Sequence, residues 1–515
     1  MRGAPARSSA ALPANRIAIT ISIMLATFMQ GVDTTITNVA LPHMQGSLSA
    51  SQDQIAWVVT SYIVAAAIMT PLTGWLAGRF GIKYVFLISV AGFTIASALC
   101  GVATSLTQLV IYRLLQGVCG AALVPLSQAV LFQINPPERH AQAMAVWGMG
   151  VILGPIIGPA LGGYLTDYYN WRWVFFINVP FGILASAGIL IFIHETRRGH
   201  RELFDFFGFA ALSIAIGALQ MLLDRGELKD WFGSTEIWIE TAIAAVGLYL
   251  FIVHTATATD RSFLNRELLK DRNCIAGTLL MFLIGIPLYG TMTLLPLMLQ
   301  NLMNYPVVTT GLVTAPRGIG TMIAMFLVAR LVGRVDTRVI ILTGLLTTVA
   351  SMWQMTGFSL QMGMGPIITS GVLQGFGLGF VFTPLSIVTF STLPRNIMTQ
   401  GTAIFSLMRN IGGSIGISVV VALLSENTQI VHSRLIEHLR PDNPLAQAPY
   451  LAPQFSLTNP SGVAALNLEV TRQAAMVAYI DDFKLMMVIV MLAAPLLLLL
   501  RKPRPARASG LAAAE

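Results

Sequence analysis

Fourteen long runs of apolar residues, separated by short polar connections, make up most of this chain. Each run approaches the roughly 20 residues that a helix needs to cross the hydrocarbon core of a bilayer. A helix also satisfies every backbone hydrogen-bonding group there. Hydrophobic residues form 55% of the 515 residues and charged residues only 10%, against roughly 25% charged residues in soluble domains. The sequence therefore predicts an all-α polytopic membrane protein.

The distribution of Lys and Arg fixes the predicted orientation, because these residues collect in cytoplasmic loops. The predicted spans are residues 17–41, 54–77, 84–104, 107–128, 142–165, 172–193, 206–223, 235–254, 274–300, 308–331, 338–358, 365–388, 397–424 and 483–500. Alternate connections carry the basic residues Arg79, Lys83, Arg139, Arg197, Arg198, Arg201, Arg261, Arg266, Lys270, Arg272, Arg330, Arg334, Arg338 and Arg395, and the tail carries Arg501, Lys502, Arg504 and Arg507. The other short loops hold only Arg172, Arg225 and Lys229. Both termini are predicted to be cytoplasmic, and the first run, about 25 residues long, is too long for the core of a signal peptide.

An internal repeat explains the number of spans. The segment GWLAGRFGIK (74–83) is similar to ARLVGRVDTR (329–338), and QGVCGAALVPLS (116–127) is similar to QGFGLGFVFTPLS (374–386). The offset of about 255 residues exceeds a six-span unit by about 60 residues, which is the length of two further helices with their loops. The predicted architecture is six plus two plus six spans, with two pseudo-symmetric six-helix bundles, as in many secondary transporters.

This repeat divides the chain into predicted regions. They are a cytoplasmic tail (1–16), a first six-helix bundle (17–193), two extra helices with linkers (194–272), a second six-helix bundle (273–500) that includes an outer loop (425–482), and a cytoplasmic tail (501–515). In the outer loop, the first half is rich in Pro, Asn and Gln and is predicted to lack regular structure, whereas Val463 to Ile480 has a weak helical pattern. The loop is either a passive solvated segment or a docking surface for a partner.

Charge and cysteine content exclude other classes. The net charge of +8 resides in loop clusters and forms no basic–aromatic face, so no nucleic-acid partner is expected. The three cysteines, Cys100, Cys119 and Cys274, lie in or beside apolar runs without CxxC spacing, which indicates neither a metal site nor a disulfide. An enzyme is not expected, since the seven histidines are scattered along the sequence and no HExxH motif is present.

One acidic residue lies deep in a predicted span. Asp33, in LATFMQGVDTTITNVALP (25–42), has Gln30 and Thr37 one helical turn away, and Thr34 and Asn38 lie on the same side. A carboxylate inside the bilayer is costly, so it normally faces a protein interior or a watery cavity. We interpret Asp33 as a protonatable site; the alternative is an Asp that only hydrogen-bonds a neighbouring helix.

Arg113, in the fourth predicted span, is the expected partner of Asp33. The two residues lie at depths that differ by only about 5 Å, at 1.5 Å per helical residue. Pairing would favour the ionised carboxylate, and separation would favour the protonated one, which provides a way to load and release a proton. Arg113 shares a helix face with Gln116, Gly117 and Gly120, where a neighbouring backbone can approach closely. The alternative is a structural Arg bound to helix carbonyls.

The fifth span, GMGVILGPIIGPALGGYL, predicts a bent helix with a close neighbour. Proline kinks a helix, and glycines four residues apart admit another backbone. The residues that carry this prediction are Gly154, Pro155, Gly158, Pro159, Gly162 and Gly163.

Two further arginines, Arg317 and Arg409, fall inside predicted spans of the second half, where no equally deep acid is apparent. Either the cavity favours anionic or weakly acidic cargo, or both arginines bind carbonyls at helix ends.

The motifs taken together resemble a known family. In chain order, VDTTITNVALP, GWLAGRFGIK, RLLQGVCGAALVPLS, GPIIGPALGGYL and WRWVFFINVPFG resemble the signature segments of the fourteen-helix drug:proton antiporters of the major facilitator superfamily. LQMLLDRGELKDWFGS (219–234) is similar to a segment of the EmrB-type exporters of Gram-negative inner membranes. The resemblance covers essentially the whole chain.

This resemblance implies proton-driven export of hydrophobic compounds across the inner membrane, with the proton as coupling ion and no other cofactor. Asp33 matches the acid of the first helix and Arg113 the proton-coupling Arg; Gly154 and Pro155 match the antiporter motif. The cytoplasmic gate loop corresponds to Gly74, Arg79, Gly81 and Lys83. The superfamily usually has Asp at the position of Gly78, so the usual salt bridge of this gate is in doubt. A periplasmic adaptor and, through it, an outer-membrane channel are implied partners, beside membrane lipid.

The expected cargo cavity lies between the two bundles, with aromatic faces and few polar anchors. Its predicted lining is Gln30, Thr37, Trp57, Tyr62, Gln116, Tyr289, Gln374, Arg409 and Asn410. A broad range of drugs is the expected cargo; the alternative is one endogenous amphiphile, such as a fatty or aromatic acid. A receptor or scaffold that transports nothing would not need Asp33.

Overall fold

The structure is a computed structural model, and it describes residues 15–194, 204–257, 265–394, 397–437, 439, 455 and 459–501. Regular structure in these ranges is helical, apart from an isolated bridge between Val332 and Val335. Most of both predicted cytoplasmic tails, as well as Arg197, Arg198, Arg201, Arg261, Arg395, Lys502, Arg504 and Arg507, lie outside the described residues. The predicted all-α architecture is confirmed.

The helices follow the predicted regions. The first bundle contains α1 (Arg16–Ser47), α2 (Gln52–Met69), α3 (Leu72–Phe80), α4 (Ile82–Val102), α5 (Leu106–Gly120), α6 (Leu123–Ile134), α7 (His140–Tyr168), α8 (Trp173–Phe176) and α9 (Asn178–Phe192). The extra pair is α10 (Phe206–Arg225) and α11 (Thr235–Thr257), followed by the short α12 (Arg266–Lys270). The second bundle contains α13 (Arg272–Asn301), α14 (Val307–Thr314), α15 (Pro316–Leu331), α16 (Thr337–Met355), α17 (Met364–Phe390), α18 (Met398–Ile436) and α19 (Pro460–Ala493), which continues as a 3-10 turn over Ala494–Leu499.

Thirteen helical segments of the described ranges are long and apolar enough to cross a membrane, and α2 with α3, bent by 56°, completes fourteen as one broken span. The bend lies at Pro71, and Pro316 begins α15 just after α14 ends. Both breaks follow from the chemistry of proline, which has no backbone N–H to donate and whose ring clashes with the preceding turn.

The first extra helix, α10, is bonded to both bundles near its outer end. The Thr60 hydroxyl of α2 donates to the Asp224 carboxylate of α10. On the other side, Gln220 Nε2 donates to Ser414 Oγ of α18 at 2.8 Å, and the Ser418 hydroxyl donates to a backbone carbonyl of α10. The extra helix is therefore held between α2 and α18 rather than lying beside the protein as a simple linker.

The two bundles touch in both halves of the membrane, which are called outer and inner according to the predicted orientation. In the outer half, α7 approaches α14, where a Cβ atom added at Gly163 would lie 3.3 Å from Val307. In the inner half, the Thr402 hydroxyl of α18 donates to the Pro125 carbonyl of α6 at 3.1 Å. These two contacts narrow the space between the bundles on both sides of the membrane centre.

The predicted lack of regular structure in the first half of residues 425–482 is wrong for Ser425–Ile436, whereas the weak helical pattern over Val463–Ile480 lies within a helix of the structure. Helix α18 continues to Ile436, and α19 already begins at Pro460. With 39 residues, α18 is about 58 Å long at 1.5 Å per residue, against about 30 Å of hydrocarbon, so it extends beyond the bilayer. His432 of α18 is hydrogen-bonded to Asn467 of α19 at 3.0 Å, and the predicted orientation places this helical hairpin on the outer side of the membrane. The polar composition of Ser425–Ile436 indicated solvent exposure, which a helix outside the bilayer also has. Of the connection between the two helices, only a few residues are described.

Candidate functional site

Asp33 lies in the middle of α1 and is fully buried inside the first bundle. Its Oδ2 accepts a hydrogen bond from Arg113 Nη1 of α5 at 2.7 Å, and the arginine is only 1% exposed. Two opposite charges in contact and hidden from water interact far more strongly than a surface pair. The carboxylate and the guanidinium thus satisfy each other in a place where either one alone would be costly.

Two amides complete the shell of Asp33. Gln116 Nε2 and Asn178 Nδ2 each donate to Asp33 Oδ1 at 2.8 Å. Arg113 also donates to Gln116 Oε1 at 2.8 Å and, through Nε, to the Val58 carbonyl of α2 at 3.1 Å. Helices α1, α2, α5 and α9 therefore meet at this carboxylate.

The sequence analysis missed Asn178 as a site residue. Its Nδ2 also donates to Ser97 Oγ of α4 at 3.0 Å, so Asn178 links the site to a further helix. A detectable signal was present, because Asn178 is an amide inside the apolar segment WVFFINVPFG. What the segment could not reveal is the partner, since Asn178 and Asp33 are far apart in the chain.

Aromatic rings enclose the guanidinium of Arg113. The Tyr62 ring centroid lies 4.5 Å from Arg113 Cζ, and that of Phe175 lies 5.6 Å away. A cation above an aromatic face is attracted by the ring quadrupole. The rings therefore compensate part of the lost hydration of Arg113 without adding a second negative charge.

The glycines of α7 pack against the segment of α1 that carries Asp33. A Cβ atom added at Gly154 would lie 2.7 Å from the backbone of Gly31 and Val32, and Gly162 contacts Ile36. Pro155 is in contact with Gly31, and Gly158 with Thr35. Gly163 faces the other way, toward Val307 of the second bundle. Helix α7 thus touches both the helix of Asp33 and the opposite bundle.

A buried acid–base pair in the first of two six-helix bundles, beside a glycine-rich fifth span, agrees with the family resemblance of the motifs. The sequence model of the Major Facilitator Superfamily matches residues 23–417. The chain belongs to this superfamily. The multidrug export protein EmrB of Escherichia coli (strain K12) is 39% identical over 440 residues, 85% of this chain and 86% of that protein. The fatty acid resistance protein FarB of Neisseria gonorrhoeae is 37% identical over 429 residues, 82% of this chain and 83% of that protein.

A solved structure supports the same fold. The crystal structure of the human organic anion transporter MFSD10 (TETRAN) matches 92% of this chain and 99% of its own with a TM-score of 0.60. Their identity is 15%, so the likeness concerns the fold alone. The predicted superfamily, the six plus two plus six arrangement of spans and the similarity to EmrB-type exporters are confirmed.

The superfamily repeat does not reproduce the site in the second bundle. The offset in residue number that relates Gln116 to Gln374 also relates Asp33 to Thr291. Gln374 Nε2 donates to Thr291 Oγ1 at 3.0 Å. Gly117, which follows Gln116, packs against the Tyr62 carbonyl in the first bundle. Gly375, which follows Gln374, packs against the Arg317 carbonyl in the second bundle, so Tyr62 and Arg317 occupy equivalent places. A hydroxyl thus replaces the carboxylate, and a second-bundle arginine occupies the place of Tyr62.

The two arginines of the second bundle lack an acidic partner among the described residues. Arg409, 6% exposed, donates only to the amide oxygen of Asn410, at 3.3 and 3.4 Å. Arg317 Nη2 donates to the Leu288 carbonyl at 3.4 Å, inside α13 rather than at a helix end. Neither contact neutralises the positive charge.

The second half contains a buried acid that the sequence analysis did not consider as a site residue. Asp482, which the sequence analysis counted as part of the outer loop, is 1% exposed within α19. The error arose because Asp481 and Lys484 beside it indicate a polar segment, whereas Asp482 lies on the buried face of the helix.

The residues predicted to line a central cavity differ in their neighbours and in how deeply they are buried. Tyr62, Gln116 and Thr37 are buried with the Asp33 site, and the Thr37 hydroxyl donates to the Asp33 carbonyl at 2.8 Å. Tyr289 of the second bundle is half-buried and packs against Gly413 of α18. Of the other residues in this prediction, Gln374 and Arg409 are buried, and Gln30 and Asn410 are half-buried.

Trp57 lies away from these residues, which corrects its predicted place in the cavity. Its ring centroid is 5.0 Å from Arg225 Cζ at the outer end of α10, and Trp57 lines a small pocket there with Arg225 and Lys229. The helical position of Trp57 was right, but the extra helix that covers it could not be placed from the sequence.

The gate loop meets the second bundle through Gly74. A Cβ atom there would lie 2.6 Å from the Gln400 side chain of α18. Gly78, which replaces the usual Asp of the superfamily, is exposed. In this conformation the inner contact is therefore made by close packing and by the Thr402 hydrogen bond, without an ion pair at Gly78.

The other gate residues shape the turn between α3 and α4. Gly81 has φ of +94°, a conformation in which a side chain is strained. The Lys83 ammonium donates to the Leu190 carbonyl at 2.8 Å, and Arg79 Cζ lies 5.4 Å from the centroid of the Trp75 ring. These contacts hold the turn within the first bundle.

We expect Arg113→Gln to destabilise the protein more than the double variant Asp33→Asn, Arg113→Gln. The single change leaves a buried carboxylate without its cation, which costs about 3–5 kcal/mol, whereas the double change removes both charges. The measurement is thermal unfolding of the unmodified protein, both single variants and the double variant in detergent, followed by loss of the folded-protein peak in size-exclusion chromatography. If the effects of Asp33→Asn and Arg113→Gln simply added, the two side chains would not depend on each other.

Proposed function

We propose that this chain exports hydrophobic and amphipathic compounds across the bacterial inner membrane in exchange for protons. The observation that carries the proposal is the buried Asp33–Arg113 pair, because an ionisable group at this depth is expensive unless it is used. The relatives named as multidrug export proteins support the cargo class. Orientation with both termini in the cytoplasm is supported by the alternation of basic loops.

In the proposed cycle, Asp33 is ionised and paired with Arg113 while cargo enters from the cytoplasm or the inner leaflet. The two bundles then rearrange so that the site opens outward, and Asp33 takes a proton from the periplasm as cargo leaves. Protonation neutralises Asp33 and weakens its bond to Arg113, since a neutral acid attracts a guanidinium less. When the bundles return to the inward-open conformation, Asp33 releases the proton to the cytoplasm. Asp33 is thus accessible alternately from the two sides of the membrane.

Helix α7 is the proposed connection between protonation and movement. Its glycines contact α1 around Asp33, and Gly163 on the same helix contacts α14 of the second bundle. A shift of α1 that accompanies loss of the ion pair would therefore be passed to the bundle interface. Packed helices transmit such shifts because the interior is too dense to absorb them.

An apolar cleft between the bundles supports entry of hydrophobic cargo from the lipid. It has a volume of about 350 Å³ and is formed by α7 on one side and α14 and α15 on the other. Its lining consists of Met149, Leu153, Leu312, Ala315, Pro316, Gly318, Ile319 and Met322. Leu312 and Ile319 are more than half exposed, so the cleft opens toward the surface that the bilayer covers.

The outer helical hairpin of α18 and α19 is the proposed docking surface for a periplasmic adaptor, which would lead cargo to an outer-membrane channel. The hairpin exposes large apolar side chains where water, not lipid, surrounds it, including Leu468, which is 72% exposed. Exposed apolar patches in water commonly mark interaction sites. A passive solvated segment would not need exposed apolar side chains.

A second candidate is a dedicated exporter of an acidic amphiphile such as a fatty or aromatic acid. Arg317 and Arg409 favour it, because each carries a positive charge that no acid in the described ranges neutralises. A cargo carboxylate could accept charge-assisted hydrogen bonds from them. The relative named as a fatty acid resistance protein points the same way.

We expect Asp33→Asn to abolish drug-dependent proton release from proteoliposomes, because asparagine cannot take up or give off the proton. A pH-sensitive dye inside the vesicles measures the release. Asp167→Asn, which removes an exposed acid of the same bundle, is the matched control and should behave like the unmodified protein. Full proton release by a folded Asp33→Asn variant would contradict the proposed function.

We expect Arg409→Gln to weaken export of carboxylate-bearing compounds about tenfold more than export of cationic dyes, since one charge-assisted hydrogen bond is worth about 1.5–3 kcal/mol. Efflux of a weak acid and of a cationic dye from the same cells measures this. Arg330→Gln, at an exposed arginine of the same bundle, should affect neither. An equal loss for both cargo types would remove the second candidate.

We expect Leu468→Asp to remove drug resistance of cells while export into proteoliposomes stays unchanged, because the charge would disrupt docking but not the membrane part. Leu468→Met, which keeps an apolar side chain, should retain resistance. Resistance that survives Leu468→Asp would indicate that this face of the hairpin binds no partner.

A further inference from the structure

Asp482 is an acid that the proposed exchange at Asp33 does not use. It lies in α19 and is 1% exposed, and neither of its carboxyl oxygens has a hydrogen-bond partner in the described part of the chain. Buried polar atoms in proteins are almost always paired. A carboxyl group with two unpaired oxygens therefore requires an explanation.

The surroundings of Asp482 are apolar. One helical turn to either side on the same face lie Tyr479, 3% exposed, and Met486, which is fully buried. The adjacent Phe483 packs edge-on against Phe358 with ring centroids 6.0 Å apart. Met486 reaches Gly290 of α13, so the face that carries Asp482 is pressed into the second bundle.

No cation among the described residues compensates the charge of Asp482. On its own helix, the nearest cation, Lys484, is exposed and bonded to Asp481 at 2.9 Å. On α13 and α16, Arg272 and Arg338 donate to backbone carbonyls of residues 499 and 500 at the cytoplasmic end. On α18, Arg409 is bound to Asn410, and Glu426 is an exposed acid.

Tyr479 and Asp481 are the titratable groups that interact electrostatically with Asp482. Neither favours the ionised carboxylate, because Asp481 is itself an acid and Tyr479 carries no positive charge. An unpaired charge in an apolar interior is so costly that the group binds a proton instead. Asp33, which accepts three N–H donors, one of them from a guanidinium, is in the opposite situation.

We propose that Asp482 is a second proton-binding site, which holds a proton in the conformation in which Asp33 is paired with Arg113. Asp33 in the first bundle and Asp482 in the second are then buried carboxyls in opposite protonation states. Any role of this proton in the transport cycle rests on the proposed function, whereas the presence of the proton on Asp482 does not.

Infrared spectroscopy of the protein reconstituted in lipid tests the proposal, because the C=O stretching band of a protonated carboxyl is separate from the bands of a carboxylate. At neutral pH we expect such a band, with the shift on transfer to D₂O that an exchangeable proton gives. The band should persist in Asp33→Asn and in Asp481→Asn, and it should be lost in Asp482→Asn.

Asp482→Glu guards against a variant that does not fold. It keeps the acid and should move the band to a different frequency, whereas the bands of other carboxyls stay in place. A spectrum without a protonated-carboxyl band at neutral pH, or a band that Asp482→Asn and Asp482→Glu both leave unchanged, would overturn the proposal. The measurement needs no transport, so its failure is distinguishable from failure of the proposed export activity.

Discussion

The ion pair of Asp33 and Arg113 is the interaction on which the first bundle depends. Four helices, α1, α2, α5 and α9, contribute a group to it, and each contribution satisfies a donor or acceptor that the bilayer interior would otherwise leave unpaired. The pair fixes how these helices lie relative to one another. A proton added to Asp33 would leave the charge of Arg113 without its counterion, so the proposed coupling role would act on this same interaction.

The second bundle repeats the fold without repeating the chemistry. Gln374 bonds to Thr291 where Gln116 bonds to Asp33, and Arg317 stands where Tyr62 stands. Duplication of a six-helix unit preserves backbone packing, because the glycine contacts that bring helices together are kept in both halves. The side chains at the centre are free to differ. One bundle has an acid paired with an arginine, whereas Arg317 and Arg409 of the other have no acidic partner among the described residues.

The two extra helices are more than an insertion between the bundles. Through Gln220, α10 reaches α18, and through Asp224 it accepts a hydrogen bond from Thr60 of α2. Since α2 and α18 belong to different bundles, movement of one bundle against the other has to involve α10. Packing of α7 against α1 and α14 supplies a second connection, made by glycines rather than by polar groups.

The sequence by itself determined the spans and the repeat, because the bilayer requires apolar helices of a limited range of lengths, and the basic loops predicted the orientation of the spans. It also identified Asp33 and Arg113, since a charge in an apolar run stands out. Only the tertiary structure decided that Asn178 completes the site, that Trp57 is covered by α10, that α18 and α19 extend beyond the membrane, and that Asp482 is buried. Each of these depends on which face of a helix meets another helix distant in the chain. A local pattern of polar and apolar residues cannot tell a side chain that faces water from one that faces a neighbour.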